Sequence, residues 1–249
     1  MPRTMRRAAP CHAARLLPHG ESGLVVVLGE DIDPEVNGQV HRLARAAAAV
    51  GGVREVVPGY CSLLVVFDPL RLPRARLARR LRALLRGIGP GAGPPGRTVA
   101  IPVCYGGAHG PDLTFVAERA GLSPEEAAAL HASARYRVHL LGFTPGFPYL
   151  GGLPARLATP RLESPRLSVP PGSVAIGGAQ TGIYPLPSPG GWRIVGRTPL
   201  RLFDPASARP FLLAAGDGVR FEPLAPERFE AVAAEVAAGR WPAAAEGGA

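Results

Sequence analysis

The stretch TPRLESPRLSVPPGSVAIGGAQTGIYPLPSPGGWRIVGRTPLRLFD, residues 159–204, decides the fold. Short apolar runs at 174–176, 181–184, 192–195 and 200–203 are separated by Gly and Pro, which break regular structure and set tight turns. Short strands joined by such turns predict a closed or strongly curved β-barrel. Upstream, 98–103 and 136–141 read as further strands, and 218–221 adds one downstream. Two helices fit between the first pair, at 112–120 and 123–132. In the second, Ser123, Pro124 and Glu126 spell an N-cap, a first-turn proline and a capping box. A last helix is predicted over 226–238.

Residues 87–96, GIGPGAGPPG, can hold neither helix nor strand and mark a boundary. Before them come strands near 14–17 and at 24–28, then a helix over 33–50 that ends at Gly51 and Gly52. Strands at 53–57 and 62–67 follow, then a helix over 71–86. The order is ββαββα, which packs naturally as two helices on one face of a small antiparallel sheet. The expected fold class is therefore α+β. The expected organisation is a disordered tail at 1–10, an α/β domain at 11–86, a linker at 87–96, a β-barrel domain at 97–240 and a tail at 241–249.

Composition removes several chemistries. All 28 basic residues are arginine. Without lysine there is no Schiff base to pyridoxal phosphate, no biotinylated lysine and no P-loop of the usual kind. The net charge of +9 is uneven: residues 1–96 carry 14 arginines against 7 acids. An arginine-only composition is what a GC-rich genome produces, so no nucleic-acid partner is expected from it. The helix at 71–86 sets Leu77, Leu81, Leu84 and Leu85, flanked by Leu70 and Ile88, at helical spacing, and reads as amphipathic with a solvated basic face. No run of about 18 apolar residues occurs, so no membrane span is expected. The N-terminus lacks the apolar stretch of a secretory signal. Cys11, Cys61 and Cys104 are odd in number and far apart, which fits a reducing compartment and a cytoplasmic location.

Within 136–204 the chain concentrates aromatics: Tyr136, Phe143, Phe147, Tyr149, Tyr184, Trp192 and Phe203. They serve either as core plugs or as the walls of a groove. Between Glu126 and Asp204 the one carboxylate is Glu163, so paired-carboxylate catalysis is not expected there. Arg161, Arg166, Arg193, Arg197 and Arg201 suggest an electropositive site for a carboxylate, a phosphate or an acidic partner, although any one of them can simply be solvated. No GxSxG is present, and Ser173 reads as a turn serine. Cys104, His109, His131 and His139 are too scattered to assign a metal site. His139 alternates with Val138 and Leu140 and reads as a structural histidine. The region reads as a binding surface of a subunit, not as a self-contained enzyme with its own cofactor.

Taken together, YGGAHGPDL (105–113), Leu130-His131, GFTPGFPYLGGL (142–153), 159–192 and IVGRTPLRLFD (194–204) resemble the PxpB/KipI family, also called allophanate hydrolase subunit 1-like. The resemblance covers 100–240 well and 14–86 by element order. It implies an α/β N-terminal domain and a cyclophilin-like β-barrel. It implies a subunit of an ATP-dependent 5-oxoprolinase, which converts 5-oxo-L-proline to L-glutamate with PxpA-like and PxpC/KipA-like partners. ATP would be shared with a partner, and the isolated chain would be inactive. Family alternatives are an inhibitor of a sensor histidine kinase, and a subunit of an allophanate or urea-derivative amidohydrolase or carboxylase system. The candidate substrate- or partner-binding residues are Phe147, Tyr149, Arg161, Arg166, Gln180, Thr181, Tyr184, Trp192 and Arg197. Catalytic residues stay unassigned. Ala108 stands where the family's first motif is expected to carry an acid.

Overall fold

The structure, a computed structural model, describes residues 14–89, 91, 96–241 and 245–246, the last two by backbone alone. Two compact units are formed, Met1–Pro94 and Pro95–Ala249. The expected tail at 1–10, Cys11, residues 90 and 92–95 of the expected linker, and residues 242–244 and 247–249 lie outside the described residues.

In the first unit the elements are β1 (Arg15–His19), β2 (Gly23–Val27), α1 (Pro34–Ala48), β3 (Val53–Pro58), β4 (Ser62–Phe67) and α2 (Arg74–Gly87). The sheet runs β1-β2-β4-β3 with every neighbour antiparallel. Alternation along β4 buries Leu63, Val65 and Phe67 fully on one face. Asp33 caps α1 by accepting from the amides of Glu35 and Val36. Val40 and Leu43 of α1 and Leu77 and Leu81 of α2 share one core with that face, so both helices cover the same side of the sheet. One boundary differs from expectation. Leu70 is 95% exposed in a turn, its amide bound by the Asp68 carboxylate, and α2 begins only after Pro73. Proline suits a helix start, and the Asp68 turn holds the residues before it out of the helix.

The second unit contains β5 (Thr98–Tyr105), α3 (Leu113–Ala120), α4 (Pro124–Ser133), β6 (Tyr136–Leu141), β7 (Pro148–Gly151), β8 (Arg166–Val169), β9 (Ser173–Gly177), β10 (Gln180–Ile183), β11 (Ser188–Gly190), β12 (Arg193–Arg197), β13 (Gly218–Pro223), α5 (Phe229–Ala237) and β14 (Ala245–Glu246). Seven strands close in the order β12-β9-β10-β7-β6-β13-β5, and β12 returns to β5 through Gly196–Tyr105 and Arg197–Cys104. Neighbours are antiparallel except β5 and β13, which run parallel. Val99, Ile101, Val103, Leu150, Val174, Ile176 and Ile183 fill the interior, and Val116 and Ala117 of α3 and Ala127 of α4 join the same core. The capping box at Ser123 and Glu126 forms as the sequence predicts. No helix among the described residues is long and apolar enough to cross a membrane.

Strands β8 and β11 form a separate two-stranded ribbon, with Ser188 opposite Val169 and Gly190 opposite Arg166. Neither was legible as a strand, because both are only three or four residues long, β8 lying between Pro165 and Pro170 and β11 containing Pro189. The expected strand at 200–203 is absent. Leu200 and Leu202 are buried, but the Leu200 amide goes to Thr198 Oγ1 and Phe203 makes a single bridge to Phe211. An apolar loop resting on the barrel mimics the strand period. The helix expected over 226–238 is a 3₁₀ turn, Pro226–Arg228, followed by α5. Ala245 and Glu246, inside the expected tail, pair with β5.

Candidate functional site

Period-two alternation gives each barrel strand an inner and an outer face. On β9, Val174 and Ile176 point into the barrel while Ala175 points out. On the outer side, Ala175 joins Phe147, Val169, Tyr184, Trp192 and Ile194 in a second, smaller apolar cluster. Phe147 is its hub. Its ring lies 4.9 Å from Tyr149, 5.2 Å from Tyr184, 5.5 Å from Trp192 and 5.8 Å from Phe143. Several of these contacts are edge-on, the arrangement that ring quadrupoles favour. Two glycines make room for the rings. A side chain at Gly177 would sit 2.5 Å from the indole of Trp192, and one at Gly190 would strike the Tyr184 hydroxyl. The glycine pattern around 177 and 190 is therefore the imprint of the aromatics.

This cluster floors an open cavity of about 370 Å³. Phe147, just before β7, and Tyr149 within it, with Tyr184 and Trp192, form the barrel side; Pro165, Pro189, Gly190 and Gly191, in and beside the ribbon, form the other. Arg161 reaches over the Trp192 ring at 5.7 Å, a cation–π contact, and no carboxylate among the described residues pairs with it. Burial raises the Tyr184 hydroxyl above its ordinary range, opposed by a hydrogen bond from the Trp192 backbone amide and by the charges of Arg161 and Arg166. Tyr149 is likewise raised by burial and held back by Arg161. Both phenols therefore stay protonated at neutral pH and are hydrogen-bonding groups. At the mouth, Phe143 is 63% exposed with φ at 64°, and the Thr144 amide closes onto the Gly142 carbonyl at 2.8 Å. That is a positive-φ γ-turn, an uncommon and strained conformation for a bulky residue.

Of the nine candidates, the cavity gathers Phe147, Tyr149, Arg161, Tyr184 and Trp192. Four are placed elsewhere, each for a physical reason. Thr181 is fully buried inside the barrel, donating to the Ala175 carbonyl and bonded to His131 Nε2 at 3.0 Å. Gln180 sits where the β9–β10 hairpin closes, opposite Gly177. Arg197 lines a different cavity, with Nε donating to the Pro171 carbonyl and its guanidinium 5.7 Å from the Phe229 ring. Arg166 is committed to Asp112 at 2.9 Å.

Two buried groups complete the picture. Because Thr181 spends its proton on Ala175, its oxygen must accept from His131 Nε2, which leaves Nδ1 to accept from the Tyr105 hydroxyl at 2.8 Å. Burial pushes His131 from the ordinary 6.5 down to about 3, so it is a neutral core group. His139 is also buried, its imidazole lying against Gly151 at an irregularity between β6 and β7. His109 stacks on Phe229 at 4.3 Å. The carboxylate that matters near the site is Asp112, which sequence reading passed over. Its one signal is its place within the YGGAHGPDL motif, which sits 54 residues from Arg166.

Residues 14–213 match the model of the carboxyltransferase domain, subdomain C and D. The chain is 42% identical over 228 residues to the B-type subunit of 5-oxoprolinase from Bacillus subtilis, covering 85% of this chain and 93% of that one. It is 45% identical over 212 residues to the B-type subunit of 5-oxoprolinase from Escherichia coli O157:H7, covering 84% and 96%. Among solved structures it resembles TTHA0988 with a TM-score of 0.72 and 44% identity; 82% of this chain matches, spanning 40% of that chain.

Proposed function

The chain belongs to the carboxyltransferase domain family, subdomain C and D, and from that footing we propose that it is the PxpB-like subunit of an ATP-dependent 5-oxoprolinase. The complex would convert 5-oxo-L-proline to L-glutamate together with PxpA-like and PxpC/KipA-like subunits. The observation that carries the reading is the aromatic cavity with a cation that no carboxylate among the described residues neutralises. 5-Oxoproline is a small, flat lactam bearing a single carboxylate. Its ring matches the faces of Trp192 and Phe147, and its carboxylate matches the guanidinium of Arg161.

The cavity supplies binding and hydrogen bonds, not a nucleophile. Neither lysine nor a carboxylate lines it. Phenols raised by burial can donate to the lactam oxygen as charge builds there. ATP would supply the driving force by phosphorylating the lactam oxygen, with ADP leaving. One water would then add to the activated carbon and the C–N bond would break, giving an acyl phosphate and the free amine; a second water would release phosphate and leave the glutamate carboxylate. This chain has no lysine for the phosphates, so arginines or a partner subunit would hold them. The isolated chain would accordingly be inactive.

The test is ATP-dependent glutamate release by a mixture of the three purified subunits, and by each mixture lacking one. Activity is expected to need this chain. Full activity of the PxpA-like and PxpC-like pair alone would overturn the reading.

A further inference from the structure

We propose that Asp112 and Arg166 form a positioning clamp that fixes the ribbon wall of the aromatic cavity, and so sets Arg161 over Trp192. The relevance to substrate rests on the function proposed above; the clamp itself does not. Strands β8 and β11 of the ribbon pair with each other and not with the seven barrel strands. Yet Pro165, Pro189, Gly190 and Gly191 at its Arg166 end are one side of the cavity. The Leu162 amide donates to the Gly191 carbonyl at 2.7 Å, so the segment carrying Arg161 rides on the same end. Besides the short link through Gly191 and Trp192 into β12 and the bridge between Thr159 and Gly178, a side-chain tie joins that end to the barrel.

Asp112 does so with both oxygens. Oδ1 accepts from Arg166 Nη2 on the ribbon at 2.9 Å, and Oδ2 accepts from the Ile194 amide on β12 at 2.7 Å. The Asp112 amide returns a bond to the Ile194 carbonyl at 2.9 Å. Asp112 stands at the start of α3, where a capping role is expected, but its carboxylate makes no cap bond. Its bonding capacity is diverted from the helix to the junction. The site on β12 is a bulge, with register lost between Ile194 and Gly196 against β9, and the Gly106 amide binds the Val195 carbonyl there. The YGGAHGPDL motif is thus the loop that docks on the bulge and presents Asp112. The Asp112 side chain is nearly buried and Arg166 two-thirds so, with Arg166 Nη1 buried and unpartnered. Removing either charge strands the other in a poorly hydrated place.

The clamp is tested in the full chain carrying Trp241→Phe, where Trp192 is the remaining indole. Acrylamide quenching then reads how tightly the cavity is closed. Asp112→Asn, which keeps an acceptor for Ile194, and Arg166→Met are each expected to raise the quenching constant about threefold through local opening. The double variant should be no more quenchable than either single, because both remove one interaction. Arg166→Lys should recover part of the protection. Unchanged Trp192 quenching in the singles, with or without lower stability, would overturn the clamp, as would additive effects. In the assembled complex, Asp112→Asn should raise KM for the lactam about tenfold with kcat within about twofold. If the complex turns over without this chain, the functional reading fails while quenching still decides the clamp.

Discussion

The two faces of β9 and β10 show opposite uses of one stretch of chain. Val174, Ile176, Thr181 and Ile183 face inward, where the polar groups close on one another: Tyr105 to His131 to Thr181 to a backbone carbonyl. Ala175 faces outward, beneath rings that line a cavity. The inner face spends its hydrogen bonds on stability. The outer face leaves an aromatic floor, two phenols and one cation at the disposal of a ligand. The difference teaches where function can reside in a barrel too narrow to hold a ligand: on the outside, against an added ribbon.

The largest effect that would break the comparison is a cavity cut into the inner face. Ile176→Ala is expected to cost about 2–5 kcal/mol in urea unfolding, while Trp192 emission in the folded state stays unchanged. A shift in that emission would show that the faces are not independent. Acid should act on the inner face next. His131 is neutral when folded, with a pKa near 3 against 6.5 when exposed, so the unfolded chain takes up the proton first. Stability is therefore full above about pH 6.5 and falls by about 1.4 kcal/mol per unit as pH drops toward 3. Denaturation across that window should show the slope in the native chain and lose it in His131→Gln. The smallest effect belongs to the outer face. Arg161→Gln should change stability by less than about 0.5 kcal/mol, since the residue is exposed, while lowering lactam turnover by the complex. A large loss of stability there would make Arg161 structural.

Much of this was legible in the sequence. Most barrel strands announced themselves as short apolar runs, several ending at Gly or Pro, although β7 at Pro148–Gly151 was not read, and the ββαββα order of the first unit needed only local periodicity. Five of the nine candidates meet in one cavity because aromatics crowded among glycines reflect rings lying on bare backbone, as Trp192 does on Gly177. What was hidden depends on pairings across long separations. Arg166 looked like a free cation because its partner, Asp112, lies in the preceding motif. Thr181 looked like a ligand group because strand alternation alone does not say which face is inside. The ribbon escaped because prolines at 165 and 189 obscure any period.

The closure of the barrel carries one more consequence. β5, the first barrel strand made, finds its neighbours β12 and β13 only near the end of the unit. The first unit, by contrast, pairs strands that lie close along the chain. Its contacts are local and should form early, whereas the barrel must hold an unpaired edge until late residues arrive. During synthesis the exposed edge of β5, apolar from Val99 to Val103, is the molecule's period of greatest vulnerability to misassembly. The barrel closes only once Arg193–Arg197 and Gly218–Pro223 reach it.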